Sequence, residues 1–191
     1  MKKYGLCLVF VLIYLFSAAQ QKYERETGIN SSQAPDTAVS YMEKLFGANA
    51  RVRWYREESL QGITVEAKTK LAEGTYSVKF DTTGRLIDIE LTQREKEVSY
   101  KVKEQIASHL ASAYDRYRIR KIQVQWTGAP ETLYQLITGK SVEGRYTVRY
   151  EIEHSGRIRR DSKPYESLFD SEGKHIETKE IIPRSINHLI Y

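Results

Sequence analysis

The sequence predicts an α+β protein built as a tandem duplication, each repeat laying one helix on one face of a roughly four-stranded antiparallel sheet. Three observations carry that prediction. The block Glu73-Gly74-Thr75-Tyr76-Ser77-Val78-Lys79-Phe80 returns as Glu143-Gly144-Arg145-Tyr146-Thr147-Val148-Arg149-Tyr150, with Glu, Gly, Tyr and Val in register. Recurrence of this kind marks a repeated supersecondary unit. A helical segment precedes each copy, and the residues around each copy alternate apolar and polar with period two, the signature of half-buried strands.

The elements follow in order. Residues 1–19 read as a signal peptide: Lys2 and Lys3 form a positive start, Leu6 to Phe16 an apolar stretch, and Ser17-Ala18-Ala19 a small-residue cleavage site. The apolar run is shorter than the ~20 residues that a bilayer core requires, so cleavage is expected and not a membrane anchor. Residues 20–34 are polar without apolar periodicity and read as a flexible leader. The first repeat spans 35–96. Pro35 and Asp36 suit a helix start, Ala38, Met42, Leu45 and Phe46 form one stripe, and Gly47 is a natural stop. Four strands then alternate, at Val52–Tyr55, Ile63–Leu71, Tyr76–Phe80 and Ile87–Leu91. Gly84 supplies the positive φ of the last hairpin turn.

The second repeat spans 97–191. Val98, Val102, Ile106, Leu110, Ala113 and Tyr117 form the stripe of a longer helix over about Glu97 to Arg116. Ile119 to Trp126 is strand-like. Leu133 to Thr138 reads as a short strand, with a helical turn as the alternative. Tyr146–Glu153 pairs with Arg157–Lys163 around a turn holding His154 and Gly156, and Glu166–Phe169 pairs with Lys174–Ile182. Ile186, Leu189 and Ile190 form an apolar tail. Trp54 and Trp126 are the expected anchors of the first and second helices.

Composition limits the chemistry. The only cysteine, Cys7, lies in the signal segment, so the mature chain has no disulfide, thiolate nucleophile or zinc–thiolate site. Loss of Lys2 and Lys3 lowers the formal charge from +5 to +3, too little to argue for nucleic acid. The basic runs Arg116-Arg118-Arg120-Lys121 and Arg157-Arg159-Arg160 read as solvated faces. Catalytic signatures are missing. Asp81-Thr82-Thr83-Gly84 carries one residue too many for an aspartic-protease D-T-G, and no second copy supplies the partner carboxylate. Gly139-Lys140-Ser141 has Tyr134 where a phosphate-binding loop needs glycine. His109, His154, His175 and His188 show no zinc-hydrolase spacing. Asp170-Ser171-Glu172-Gly173 has too few oxygen ligands for a calcium loop. No enzyme, cofactor or metal is expected.

At Arg51-Val52-Arg53-Trp54-Tyr55-Arg56-Glu57 and Tyr76-Ser77-Val78-Lys79-Phe80-Asp81-Thr82-Thr83-Gly84 the chain resembles the PepSY-like proteins of Gram-negative envelopes, related in fold to the beta-lactamase-inhibitor-protein architecture. The resemblance implies a secreted, non-catalytic module of two α/β repeats whose open sheet face grips another protein or modulates a peptidase. The inhibitor's cysteines are absent here, and no inhibitory-loop residues match. The expected function is a periplasmic or extracellular binding or regulatory module. A protein or an anionic glycan would meet a polar sheet face carrying Tyr55, Lys68, Lys70, Lys79, Arg145 and Arg149, because tyrosine and arginine are favoured at interfaces. The alternatives are a lipid or peptide carrier with a cavity between helix and sheet, and self-association through exposed sheet edges.

Overall fold

The computed structural model describes residues 20–182. The signal segment, the apolar tail and His188 lie outside the described residues. The elements are β1 (Gln20–Lys22), β2 (Glu24–Ile29), α1 (Asp36–Phe46), β3 (Val52–Ser59), β4 (Gly62–Lys70), β5 (Thr75–Asp81), β6 (Leu86–Gln93), α2 (Tyr100–Ala113), β7 (Arg116–Gly128), α3 (Pro130–Ile137), β8 (Tyr146–Ile158), β9 (Asp161–Asp170) and β10 (His175–Ile181). All ten strands belong to one sheet in the order β1-β10-β9-β8-β7-β6-β5-β4-β3-β2.

That order overturns the expected pair of independent helix-on-sheet repeats. β6 pairs directly with β7, from Ile89↔Trp126 to Gln93↔Ile122, so the two halves share one ladder. The strands at the two ends of the list are consecutive in the chain, separated by Tyr23 alone. β1 runs parallel to β10 (Gln20↔Lys179 to Lys22↔Ile181) and β2 antiparallel to β3 (Glu24↔Ser59 to Ile29↔Trp54). The sheet therefore curls into a nearly closed barrel, with its two edge strands β1 and β2 brought side by side. Connectivity also separates the two similar blocks. The first leads into β5 of a β4–β5 hairpin, whereas the second follows α3 and leads into β8. Their shared glycines answer a local need. Gly74 has φ +155° and Gly144 φ +97°, and a Cβ would lie 2.3 Å from the Thr92 carbonyl oxygen or 2.6 Å from the Thr132 hydroxyl.

The barrel wears its apolar face outward, beneath the helices. α1 buries Ala38, Met42 and Leu45 on Trp54, Val65, Ala67, Val78, Phe80, Ile89 and Leu91, and α3 adds Leu133 to the same cluster. α2, capped by Ser99 accepting from the Val102 amide, buries Val102, Ile106 and Leu110 on Ile122, Ile152 and Phe169. Burial of this apolar area, at about 25 cal/mol per Å², fixes the helices to the wall. Trp54 is the expected anchor of α1. Trp126 is only half-buried and packs with the first cluster, not under the second helix as expected.

Three local expectations are corrected by tertiary contacts. The leader is not a flexible segment: residues 20–29 are the closing strands, and their alternation is one of charge, which apolar periodicity does not register. Leu133–Thr138 lies within a helix and the C-cap that follows it, opened by Pro130 at its first turn. His154 and Gly156 sit inside the long strand β8, paired with Ile119 and Tyr117. Gly156 is there for close approach, since a Cβ would come within 2.4 Å of the Tyr114 ring. Gly156→Ala should thus destabilise the protein by about 1–3 kcal/mol through overpacking. Adding Tyr114→Ala should recover part of that loss, as read by denaturant unfolding of the single and double variants.

Candidate functional site

Because the apolar residues of each strand face the helices, the intervening polar residues face the barrel axis. The polar face expected to meet solvent is thus turned inward. Together these side chains surround a cavity of about 300 Å³, lined by Lys22, Glu24, Glu26, Glu57, Gln61, Glu66, Lys68, Ser77, Lys79, Glu90, Lys121, Gln123, Gln125, Glu151, Glu153, Glu166 and Lys179. Eight carboxylates thus face five ammonium groups in one chamber. Gln61, exposed in the β3–β4 turn, marks its mouth.

Most of these charges are paired across strands. Lys22 bridges Glu24 and Glu166, and Lys68 bridges Glu26 (2.8 Å) and Glu66 (2.9 Å). Lys79 meets Glu57 at 3.1 Å and Lys121 meets Glu153 at 3.0 Å. Burial opposes the charge on Lys22 and Lys79, but the surrounding carboxylates outweigh it and raise both lysines above their ordinary range. Burial likewise raises Glu57, only partly offset by Lys79. One carboxylate oxygen each from Glu26, Glu57 and Glu66 lies within 4.8 Å of the other two. A metal ion there would have to displace Lys68 and Lys79, which already neutralise the group.

Asp88, Glu90 and Glu151 are held differently. Gln125 Nε2 donates to Glu151 Oε1 (2.8 Å), Asp88 Oδ2 (3.3 Å) and Glu90 Oε1 (3.4 Å), and Gln123 Nε2 donates to Glu90 Oε2 (2.6 Å). Among the described residues no lysine or arginine forms a salt bridge with any of the three, although Lys79 acts on Asp88 and Glu90, and Lys22 on Glu151, at longer range. Burial, reinforced by Glu90, pushes the Asp88 carboxyl up to about 7, and burial with Glu90 and Glu166 holds Glu151 well above the ordinary carboxylate range. Both groups tend to keep a proton near neutrality.

The six residues expected on an open binding face are dispersed. Lys68 and Lys79 lie in the chamber. Tyr55 stands at its edge, its ring 5.1 Å from the Lys68 ammonium. Lys70 is exposed at the end of β4, Arg145 is exposed in the loop before β8, and Arg149 is half-buried at the barrel end, outside the chamber lining. Sequence reasoning missed Lys22, Glu24 and Glu26 in the supposed leader. It also missed the glutamine pair on β7, although Gln123 and Gln125 inside a strand facing Glu90 and Asp88 are a readable signal of polar interior.

Folding also assembles a polar chain on the outer face, under α2. His154 Nε2 lies 2.9 Å from Ser167 Oγ, Ser167 2.7 Å from Thr178, and Thr178 2.8 Å from His175, whose ring stacks on His109 at 3.9 Å. Burial lowers His154 to about 4, so it is neutral. His154 and Ser167 are 1% and 0% exposed, which denies a substrate access to the pair.

No known protein family matches the sequence, and no curated protein matches it. Solved structures that resemble it include two DUF2874 proteins. One, a DUF2874 family protein from Bacteroides ovatus ATCC 8483, is 13% identical with a TM-score of 0.54, over 77% of this chain and 87% of that one. The other, a DUF2874 family protein from Bacteroides vulgatus ATCC 8482 with a proposed periplasmic location, is 16% identical with a TM-score of 0.27, over 81% and 96%. The likeness to the first concerns the fold. The resemblance to PepSY-like proteins is not upheld: the structural neighbours are described as DUF2874 proteins, and the motifs that suggested it are strands and turns of a continuous barrel. The N-terminal pattern that predicts export lies outside the described residues. Among the described residues no helix is long and apolar enough to cross a membrane.

The chamber's electrostatics give two predictions. A carboxyl whose folded pKa is raised to about 7 binds more protons folded than unfolded between about pH 4 and 7, so its contribution to stability is lost as pH rises through that window. Asp88→Asn should therefore raise the melting temperature at pH 8 and leave it nearly unchanged at pH 4, read by thermal unfolding at both pH values. Lys79→Met should cost about 3 kcal/mol by leaving Glu57 buried without its partner. Combining it with Glu57→Gln should restore much of that, measured as a double-mutant cycle in urea.

Proposed function

We propose that this chain is a non-catalytic binding module of the cell envelope that holds a small hydrophilic ligand inside its barrel. The observation that carries the reading is the charged chamber of about 300 Å³ with a mouth at Gln61. Its volume is at the lower end of small-molecule sites, which are mostly apolar, and a lining of carboxylates, ammonium groups and amides favours a polar occupant. A protein or glycan gripping the polar face fits less well, since Lys68 and Lys79 point inward and are engaged by glutamates. Self-association through sheet edges is also disfavoured, because the end strands β1 and β2 meet around the barrel. For an apolar carrier there is one groove between α2 and β7, about 230 Å³, lined by Val98, Ile106, Tyr117, Ile119 and Ile122 among others. That is below the ~300–1,000 Å³ of small-molecule sites, so the chamber is the better candidate.

Thermal unfolding against a panel of amino acids, diamines, dicarboxylates and monosaccharides tests the reading. At least one class should raise the melting temperature by about 5 °C at a hundredfold excess over its Kd. Gln61→Trp, which narrows the mouth at an exposed position, should abolish that shift while leaving the ligand-free melting temperature unchanged. Absence of any shift, or a shift indifferent to Gln61→Trp, would remove the chamber as the binding site.

A further inference from the structure

The lumen divides into two regions with different charge balance. Around its β2–β4 side every carboxylate has a lysine: Glu24 with Lys22, Glu26 and Glu66 with Lys68, and Glu57 with Lys79. Glu153 and Glu166 are likewise matched by Lys121 and Lys22. On the β6–β8 side, Asp88, Glu90 and Glu151 converge on a single amide nitrogen and form no salt bridge with a lysine or arginine among the described residues; Lys79 and Lys22 act on them only at longer range. Lys79 is near, standing opposite Asp88 in the β5–β6 pairing, but its ammonium is committed to Glu57.

An independent observation marks this side. Asp88 is 7% exposed, and its Oδ1 has no hydrogen-bond partner among the described residues. Its other oxygen accepts from Gln125, a residue of the chamber lining, so the carboxyl belongs to the inward face. A buried polar atom without a partner is unfavourable by ~1–3 kcal/mol, and three carboxylates this close repel one another when all are charged. A proton or a further cation bound among them relieves that repulsion. We propose that the Asp88–Glu90–Glu151 floor of the chamber binds a small organic cation through an ammonium or guanidinium group. The inference rests on the chamber being a ligand site and adds the class of ligand.

Geometry favours a nitrogen donor over a metal ion. The three carboxylate oxygens stand 2.8, 3.3 and 3.4 Å from Gln125 Nε2, the spacing of N–H···O contacts. Calcium needs six to eight oxygens at 2.3–2.6 Å, and here it would have to expel the glutamine amide from the point of convergence. A ligand ammonium entering from the chamber can instead share the carboxylates with that amide, donating to the free lone pairs of Glu90 and Glu151 in the lining, with the Asp88 charge behind them adding to the attraction. Binding takes the place of protons held on the floor, so protons are released on association near neutral pH.

Isothermal titration of the exported chain with 1,4-diaminobutane, L-arginine, calcium chloride and succinate, each in two buffers of different ionisation enthalpy, tests this. The expected result is binding of the diamine or of arginine with proton release, and about tenfold weaker affinity per pH unit per proton released below neutrality. The Asp88→Asn/Glu151→Gln double variant should lose that binding. It should also melt no lower than wild type at pH 8, because the substitutions remove uncompensated charge, so the loss cannot be assigned to unfolding. Calcium binding without amine binding, or amine binding unchanged in the double variant, would overturn the proposal. Succinate binding that Gln61→Trp blocks, with no response to either amine, would overturn the cation site while sparing the chamber reading. Silence from all four probes would overturn the cation site, and the wider panel would then decide the chamber.

Discussion

Closure of the sheet is the constraint on which the rest of this structure depends. Ten strands joined in one ladder, with Gln20–Lys22 on β10 and Glu24–Ile29 on β3, leave the polar side of the sheet no route to bulk water except through the barrel mouths. Charges that would be solvated on an open sheet must then be satisfied by one another. This explains why lysines and glutamates alternate across neighbouring strands in the lumen: each buried ion needs a partner, and a matched pair is tolerated where a lone ion is not. The inward charge and the outward helices are thus two sides of one decision, the direction in which the sheet curls.

The outer layer supplies the stability that such an interior does not. Replacing buried ion pairs by apolar side chains is often neutral or favourable, so the charged lumen is poor evidence of stabilisation. The apolar clusters under α1 and α2, centred on Met42, Phe80 and Ile89 and on Leu110, Ile152 and Phe169, are where burial does that work. The proposed ligand site accounts for an interior that carries this desolvation penalty. The incomplete neutralisation on the β6–β8 side adds weight, since the glutamines there hold the carboxylates in place without cancelling their charge.

Much of the local structure was legible. The stripe Ala38-Met42-Leu45 gives α1, the alternations around Trp54, Val65, Val78 and Ile89 give the first four-strand meander, and the stripe Val102-Ile106-Leu110 gives most of α2. Where the reading failed, one residue type stood for two causes. Gly156 resembles a turn glycine, but its role is to let the Tyr114 ring lie on β8. The repeated Glu-Gly-x-Tyr blocks look like ancestry of a whole unit, whereas each glycine meets the positive φ required at the entry to a strand. Lys22, Glu24 and Glu26 look like a solvated leader because their period-two pattern is written in charge.

Sequence alone determined which residues share a face of each strand, because side chains alternate along an extended backbone whatever surrounds it. It also placed the one cysteine, Cys7, in the apolar N-terminal stretch, away from every strand and helix described. The tertiary structure decided which face became the interior. Period two distinguishes two sides of a sheet but carries no sign of curvature, and a charged side chain satisfied by water is spelled identically to one satisfied by a partner two strands away. That partner is chosen only when residues 20–29 bring the ends of the sheet together, and the chamber comes into being in the same step.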